Sequence, residues 1–141
     1  MKTIFSIKRL LLITISFFAF SYSFSQEWQL INNELDGSET YIRQHTSNSA
    51  WIKRTKQDVP LDYDKYGFNK INEGYTVILF RFDCRSLKLG VLVSVYYNNE
   101  GEVKHSQQYE DYEVNMNYAV PDSLGEFWLK TFCELGDKSK N

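Results

Sequence analysis

Cysteine is scarce in this chain: Cys84 and Cys133 are the only two among 141 residues. Neither stands near the amino end, so no thiol is available there for a lipid anchor. Histidine is equally rare, and His45 and His105 have no neighbouring Cys or His at metal-ligand spacing. Each reads as a polar strand or loop residue. Two prolines and seven glycines leave no Pro-, Gly- or Ser-rich linker, and no repeat or low-complexity tract interrupts the chain. There is no Gly-x-Ser-x-Gly elbow, no phosphate loop and no dinucleotide fingerprint. A nucleophilic mechanism therefore has no evident nucleophile, and the expectation is a non-enzyme without cofactor or metal.

Long hydrophobic runs are also missing. The uncharged apolar stretch from Leu10 to Phe20 is eleven residues long, short of the ~20 that a spanning helix needs. It follows Lys2, Lys8 and Arg9 and precedes Ser23 and Ser25, small residues three and one before Gln26. A basic start, a short apolar centre and small residues at the cut are the grammar of a secretory signal. Residues 1–25 are thus expected to be cleaved; the alternative is a retained membrane anchor. Removal takes away three basic residues and no acidic ones, leaving 13 against 18, a net charge of −5. Nucleic acid and anionic membrane surfaces are poor partners for that balance. The expected destination is the periplasm, the cell surface or the medium, without a lipid anchor. Residues 26–136 suffice for one domain with a modest core, and residues 137–141 read as a disordered polar tail.

What is present is strand pattern. Thr76 to Cys84 sets Ile78, Phe80, Phe82 and Cys84 on one face and Val77, Leu79, Arg81 and Asp83 on the other. Leu87, Leu89, Val91, Val93 and Val95 then repeat at a period of two, opposite Lys88, Gly90, Leu92, Ser94 and Tyr96. Arg85 and Ser86 leave room only for a tight turn between these two strands. Asn98 to Gly101 signals another turn, into a strand near Glu102 to Tyr109. Trp28 to Ile31, Thr40 to Gln44 and Ala50 to Gln57 read as earlier strands, and Tyr112 to Tyr118 as a weaker one.

At Pro121 the period changes. Ser123 and Glu126 form a capping box, and Trp128, Leu129, Phe132 and Cys133 then recur on one helical face, with Glu126, Lys130 and Glu134 opposite. The fold class expected is α+β: an antiparallel sheet of about six strands with a C-terminal helix packed on one face. Cys84 ends a central strand and Cys133 lies on the apolar side of the helix, so export favours a Cys84–Cys133 bridge from sheet to helix. Two free buried thiols are the alternative.

Glu27-Trp28, Ala50-Trp51-Ile52-Lys53, Phe82-Asp83-Cys84, Gly101-Glu102-Val103 leading to Ser106, and Pro121-Asp122-Ser123 ahead of Cys133 together resemble the bacterial surface-adhesin protein E family. The resemblance runs over nearly all of residues 26–136. It implies an antiparallel sheet with a disulfide-tethered terminal helix and a non-enzymatic, adhesin-like domain; the family's best-known member binds host extracellular-matrix and plasma proteins, but the residues that match here are scaffold residues. Only Cys84 and Cys133 carry over, as the tether. The chain departs from the family in lacking the cysteine for a lipid anchor and in having Asp122 where the motif has Gly.

Two further patterns stand apart. Asp62, Asp64, Gly67 and Glu73 fall at positions one, three, six and twelve of a calcium loop, but Tyr66 and Asn69 break it and neither flank reads as a helix. An ordinary Asp- and Gly-bearing surface loop is the plainer reading. Nine Tyr, five Phe and three Trp remain after cleavage, with Tyr63, Tyr66, Tyr96, Tyr97, Tyr109, Tyr112 and Tyr118 near strand ends and turns. Cross-strand packing accounts for them, whereas exposed contiguous Tyr would mark a contact surface. Three functions follow: a protein-binding, adhesin-like module, able to dimerise through spare sheet or helix surface; an envelope accessory protein without a host ligand; and a small-ligand carrier or enzyme with a pocket between sheet and helix.

Overall fold

The alternating segments form strands and the capped segment a helix. The computed structural model describes residues 27–60, 63–64, 67–68 and 71–138, so the expected signal segment lies outside the described residues. The order is β1 (Gln29–Asn33), β2 (Glu39–Thr46), β3 (Ser49–Pro60), β4 (Tyr63–Asp64), β5 (Gly67–Phe68), β6 (Ile71–Asp83), β7 (Lys88–Asn98), β8 (Val103–Gln108), β9 (Asn117–Tyr118) and α1 (Leu124–Lys138). Six strands run β1-β2-β3-β6-β7-β8 in one antiparallel sheet, and β9 adds a short pairing at the start of β7. The short β4 and β5 pair with each other between β3 and β6. This is the expected α+β architecture.

One face of the sheet is packed. Ile42, Ala50, Ile52, Phe80 and Phe82 meet Trp128, Leu129 and Phe132 of α1 in a single buried cluster. Phe82 stacks on Phe132 at 4.6 Å between ring centres, and Phe80 lies 5.4 Å from Trp128. Burying each such side chain stabilises the fold by about 1.5–3 kcal/mol, which is why an amphipathic helix settles there.

The period-two reading of β7 needs correction. Leu79 pairs with Val93 but Phe80 pairs with Val91, leaving Leu92 as the extra residue of a β-bulge. The bulge switches faces: Leu89 and Val91 pack toward the helix, while Val93 and Val95 stand with Leu79 and Val77 on the other side. Leu87 belongs to neither set. It lies in the turn between β6 and β7 with a φ of 55° and is exposed. The Tyr112 to Tyr118 candidate shrinks to β9, because residues 111–113 form a turn closed by the Glu113 N–H on the Glu110 carbonyl. Beyond that turn the chain folds over Gly90, where a Cβ would come within 2.9 Å of the Asn115 carbonyl oxygen.

The helix cap forms as expected, with one displacement. The Glu126 N–H donates to Ser123 Oγ, but the Glu126 carboxylate receives the N–H of Asp122 rather than of Ser123. The helix continues through Gly136 and Asp137 to Lys138. Asp122 has a φ of 60°, the left-handed region in which Gly has no steric penalty. Asp122→Gly is therefore expected to raise stability by about 0.5–1 kcal/mol. Thermal unfolding of the oxidised domain checks this, and a lowered midpoint contradicts it.

Candidate functional site

The two cysteines meet. Cys84, in the turn after β6, bonds Cys133 of α1 with S–S 2.05 Å and Cα–Cα 5.8 Å. The same turn is braced by Asp83, whose carboxylate accepts the Ser86 hydroxyl and the N–H groups of Arg85 and Ser86. Those bonds, the Ser86 hydroxyl first, hold the Asp83 carboxyl below its ordinary 3.8. A recess of about 700 Å³ opens beside the bridge, between Gln44, Arg85, Phe132 and Asp137.

The other residues singled out by sequence do not converge. His45 sits at the end of β2, edge-on to Trp51 with 6.2 Å between ring centres, and His105 lies on β8 beside Tyr96 at 5.9 Å. Among the described residues no group of three His, Cys, Asp or Glu could hold a metal ion. Of the calcium pattern, Asp62 lies outside the described residues, Asp64 pairs with Gly67 in the β4–β5 hairpin, and Glu73 belongs to β6. The tyrosines scatter as well. Tyr97 stacks on Tyr75, while Tyr112 and Tyr118 are exposed in different segments and Lys88 lies over the Tyr118 ring.

The surface that does cohere is the sheet face away from α1. The pairing register lays three cross-strand rows over it. One row runs Arg43–Trp51–Leu79–Val93–Gln108. The next runs Tyr41–Lys53–Val77–Val95–Ser106, and the third joins Tyr75, Tyr97 and Val103. Leu79 is buried, and the remaining side chains of the centre are half-buried. The margins are apolar and open: Leu30 on β1 is 53% exposed and Val103 on β8 is 55% exposed.

Two cations stand on this face against rings. The Arg43 guanidinium lies 4.6 Å from the centre of the Trp28 ring, and Lys53 Nζ is 4.9 Å from Tyr75 and 6.0 Å from Tyr41. Such contacts contribute about 0.5–1 kcal/mol each at exposed sites. The Tyr41 hydroxyl donates to Glu39 at 2.6 Å, which raises the pKa of Tyr41. Tyr75 and Tyr97 stack at 4.6 Å with planes 8° apart. Beyond the Leu79–Val93 row the face ends in a recess of about 450 Å³, closed by the Arg81–Asp111 ion pair.

Sequence reading flagged Tyr97 and missed Trp28, Tyr41, Trp51 and Tyr75 as one surface. The signal was available in the alternation of Tyr41 and Arg43 and of Trp51 and Lys53 on the outward parity of their strands. Chemically, the arrangement offers area, ring faces and two fixed positive charges. Nothing in it pairs a nucleophile with a base. No family model, curated protein or solved structure matches the chain.

Proposed function

We propose that the mature chain is an exported, non-enzymatic protein-binding domain of the bacterial cell envelope, adhesin-like in use. The observation that carries this reading is the aromatic-rich sheet face opposite the helix, over which no helix packs among the described residues. Trp, Tyr and Arg are the residue types that dominate binding energy at protein interfaces, and here they stand together on a rigid sheet. The signal grammar of residues 1–25 and the Cys84–Cys133 bridge support export. Among the described residues no helix is long and apolar enough to cross a membrane. The resemblance to the surface-adhesin protein E family points the same way.

Small-ligand binding is a second reading. It is favoured by a recess of about 400 Å³ floored by Phe80, Leu89 and Val91, with Glu113, Asn115 and Asn117 at its rim.

A pull-down with the oxidised mature domain separates these. Trp51→Ser combined with Tyr97→Ser is expected to reduce recovery of a bound protein about tenfold, in line with removing two interface anchors. Phe127→Ser, on the exposed side of α1, is expected to leave recovery unchanged. Equal recovery with the face variant overturns the assignment of the surface. Labelling of intact cells then distinguishes surface display from a periplasmic accessory role.

A further inference from the structure

We infer that the open sheet face takes an acidic amphipathic polypeptide, its apolar side on β6 and β7 and its carboxylates on the β2–β3 side. This deepens the binding role proposed above and rests on it.

The face is asymmetric. Arg43 and Lys53 stand on adjacent strands β2 and β3, while the paired Val77–Val95 and Leu79–Val93 make the neighbouring half aliphatic. Lys53 is directly opposite Val77, so the cationic half and the apolar half share a border. Strands lie about 4.8 Å apart, which sets Lys53 and Val95 about 10 Å from each other across β6. That is close to the diameter of one α-helix with its side chains, about 10–12 Å. A helix seated along β6 and β7 therefore brings one flank over Lys53.

Charge points to the sign. The mature chain carries an excess of acidic residues, yet the three rows on this face contain two cations and no carboxylate. Of the carboxylates bordering the rows, Asp111 pairs with Arg81, Glu39 accepts the Tyr41 hydroxyl, and Glu110 stands at the recess past Gln108. Glu73 lies further along β6, beyond Tyr75. Arg43 and Lys53 are held by rings, which orient them without neutralising them. Cations already positioned this way lose little side-chain freedom when a carboxylate arrives, and a basic partner finds like charge at the same points.

Polypeptide is favoured over nucleic acid because phosphate recognition draws on many cations along a groove, whereas the rows on this face offer two beside an aliphatic patch.

The test uses the oxidised mature domain and two synthetic helical peptides, each about five turns long, with an identical Leu stripe. One carries Glu beside the stripe and the other carries Lys. Backbone amide shifts and affinity are read by NMR titration, with an oligothymidylate as a third probe. The Glu peptide is expected to bind at least about tenfold tighter than the Lys peptide, shifting the amides of Lys53, Val77 and Val95. Arg43→Glu with Lys53→Glu is expected to invert that preference. Arg43→Gln with Lys53→Gln, which preserves polarity and leaves β2 and β3 intact, is expected to abolish it. Equal affinity of the two peptides at this face overturns the inference and leaves the binding role standing. Failure of both peptides to shift the face overturns both. Preference for the oligothymidylate overturns the polypeptide assignment.

Discussion

Replacing both bridge cysteines, Cys84→Ser with Cys133→Ser, is expected to lower stability by about 4 kcal/mol on the chain-entropy account. The bonded residues lie 49 positions apart, so the bridge closes most of the second half of the domain into one loop of the unfolded chain. Cys84 is exposed and Cys133 half-buried, so serine at either position leaves no deep cavity and the loss reports the cross-link itself. For a domain of this size, a loss of about 4 kcal/mol is comparable to the whole net stability. Urea unfolding of the oxidised protein, the reduced protein and the double variant measures it. The reduced protein and the variant should agree, with lower midpoints and steeper slopes than the oxidised form, because an unlinked chain exposes more surface. Coincident curves for all three would show that the bridge is stabilising nothing.

The tether was legible because two independent periodicities led to it. The alternation ending at Cys84 follows the aromatic face of β6, the helical face containing Cys133 is its apolar one, and the capping box gives the helix its start. The bulge at Leu92 was not legible. In Leu89 to Val95 both parities are apolar or small, so the pattern survives a one-residue slip and only the pairing with Leu79 and Phe80 reveals it. The consequence reaches the candidate site: without the slip, Val93 and Val95 belong to the helix side and the open face loses their apolar surface. Stacking of Tyr75 on Tyr97 was hidden for a related reason. It depends on the register between β6 and β7 beyond the bulge, a non-local quantity. The tyrosines singled out by position alone do not join that face: Tyr112 lies in a turn, and Tyr118 in the short β9 pairs with Lys88 at the start of β7.

Phe82→Ala and Phe132→Ala, made in the oxidised domain, are each expected to destabilise by about 3–5 kcal/mol. Phe82 is 3% exposed on β6 and Phe132 is 5% exposed on α1, and the stacked rings are the direct apolar contact between sheet and helix beside the bridge. Truncating either ring opens a cavity that the tether keeps from collapsing, since Cys84 and Cys133 hold the flanking backbone at a Cα–Cα distance of 5.8 Å. The two losses should not add. A double-mutant cycle is expected to show about 0.5–1.5 kcal/mol of coupling, the share that belongs to ring on ring rather than to burial alone. Should the alanine variants fail to fold, Phe82→Leu and Phe132→Leu preserve most of the volume and carry the same cycle at about 1 kcal/mol per substitution. The readout is the urea midpoint with the bridge intact, where helix and sheet remain neighbours even when the packing between them is lost. Strict additivity would mean that the rings are buried side by side without contributing to one another. The helix would then owe its position on the sheet to Trp128, Leu129 and the bridge.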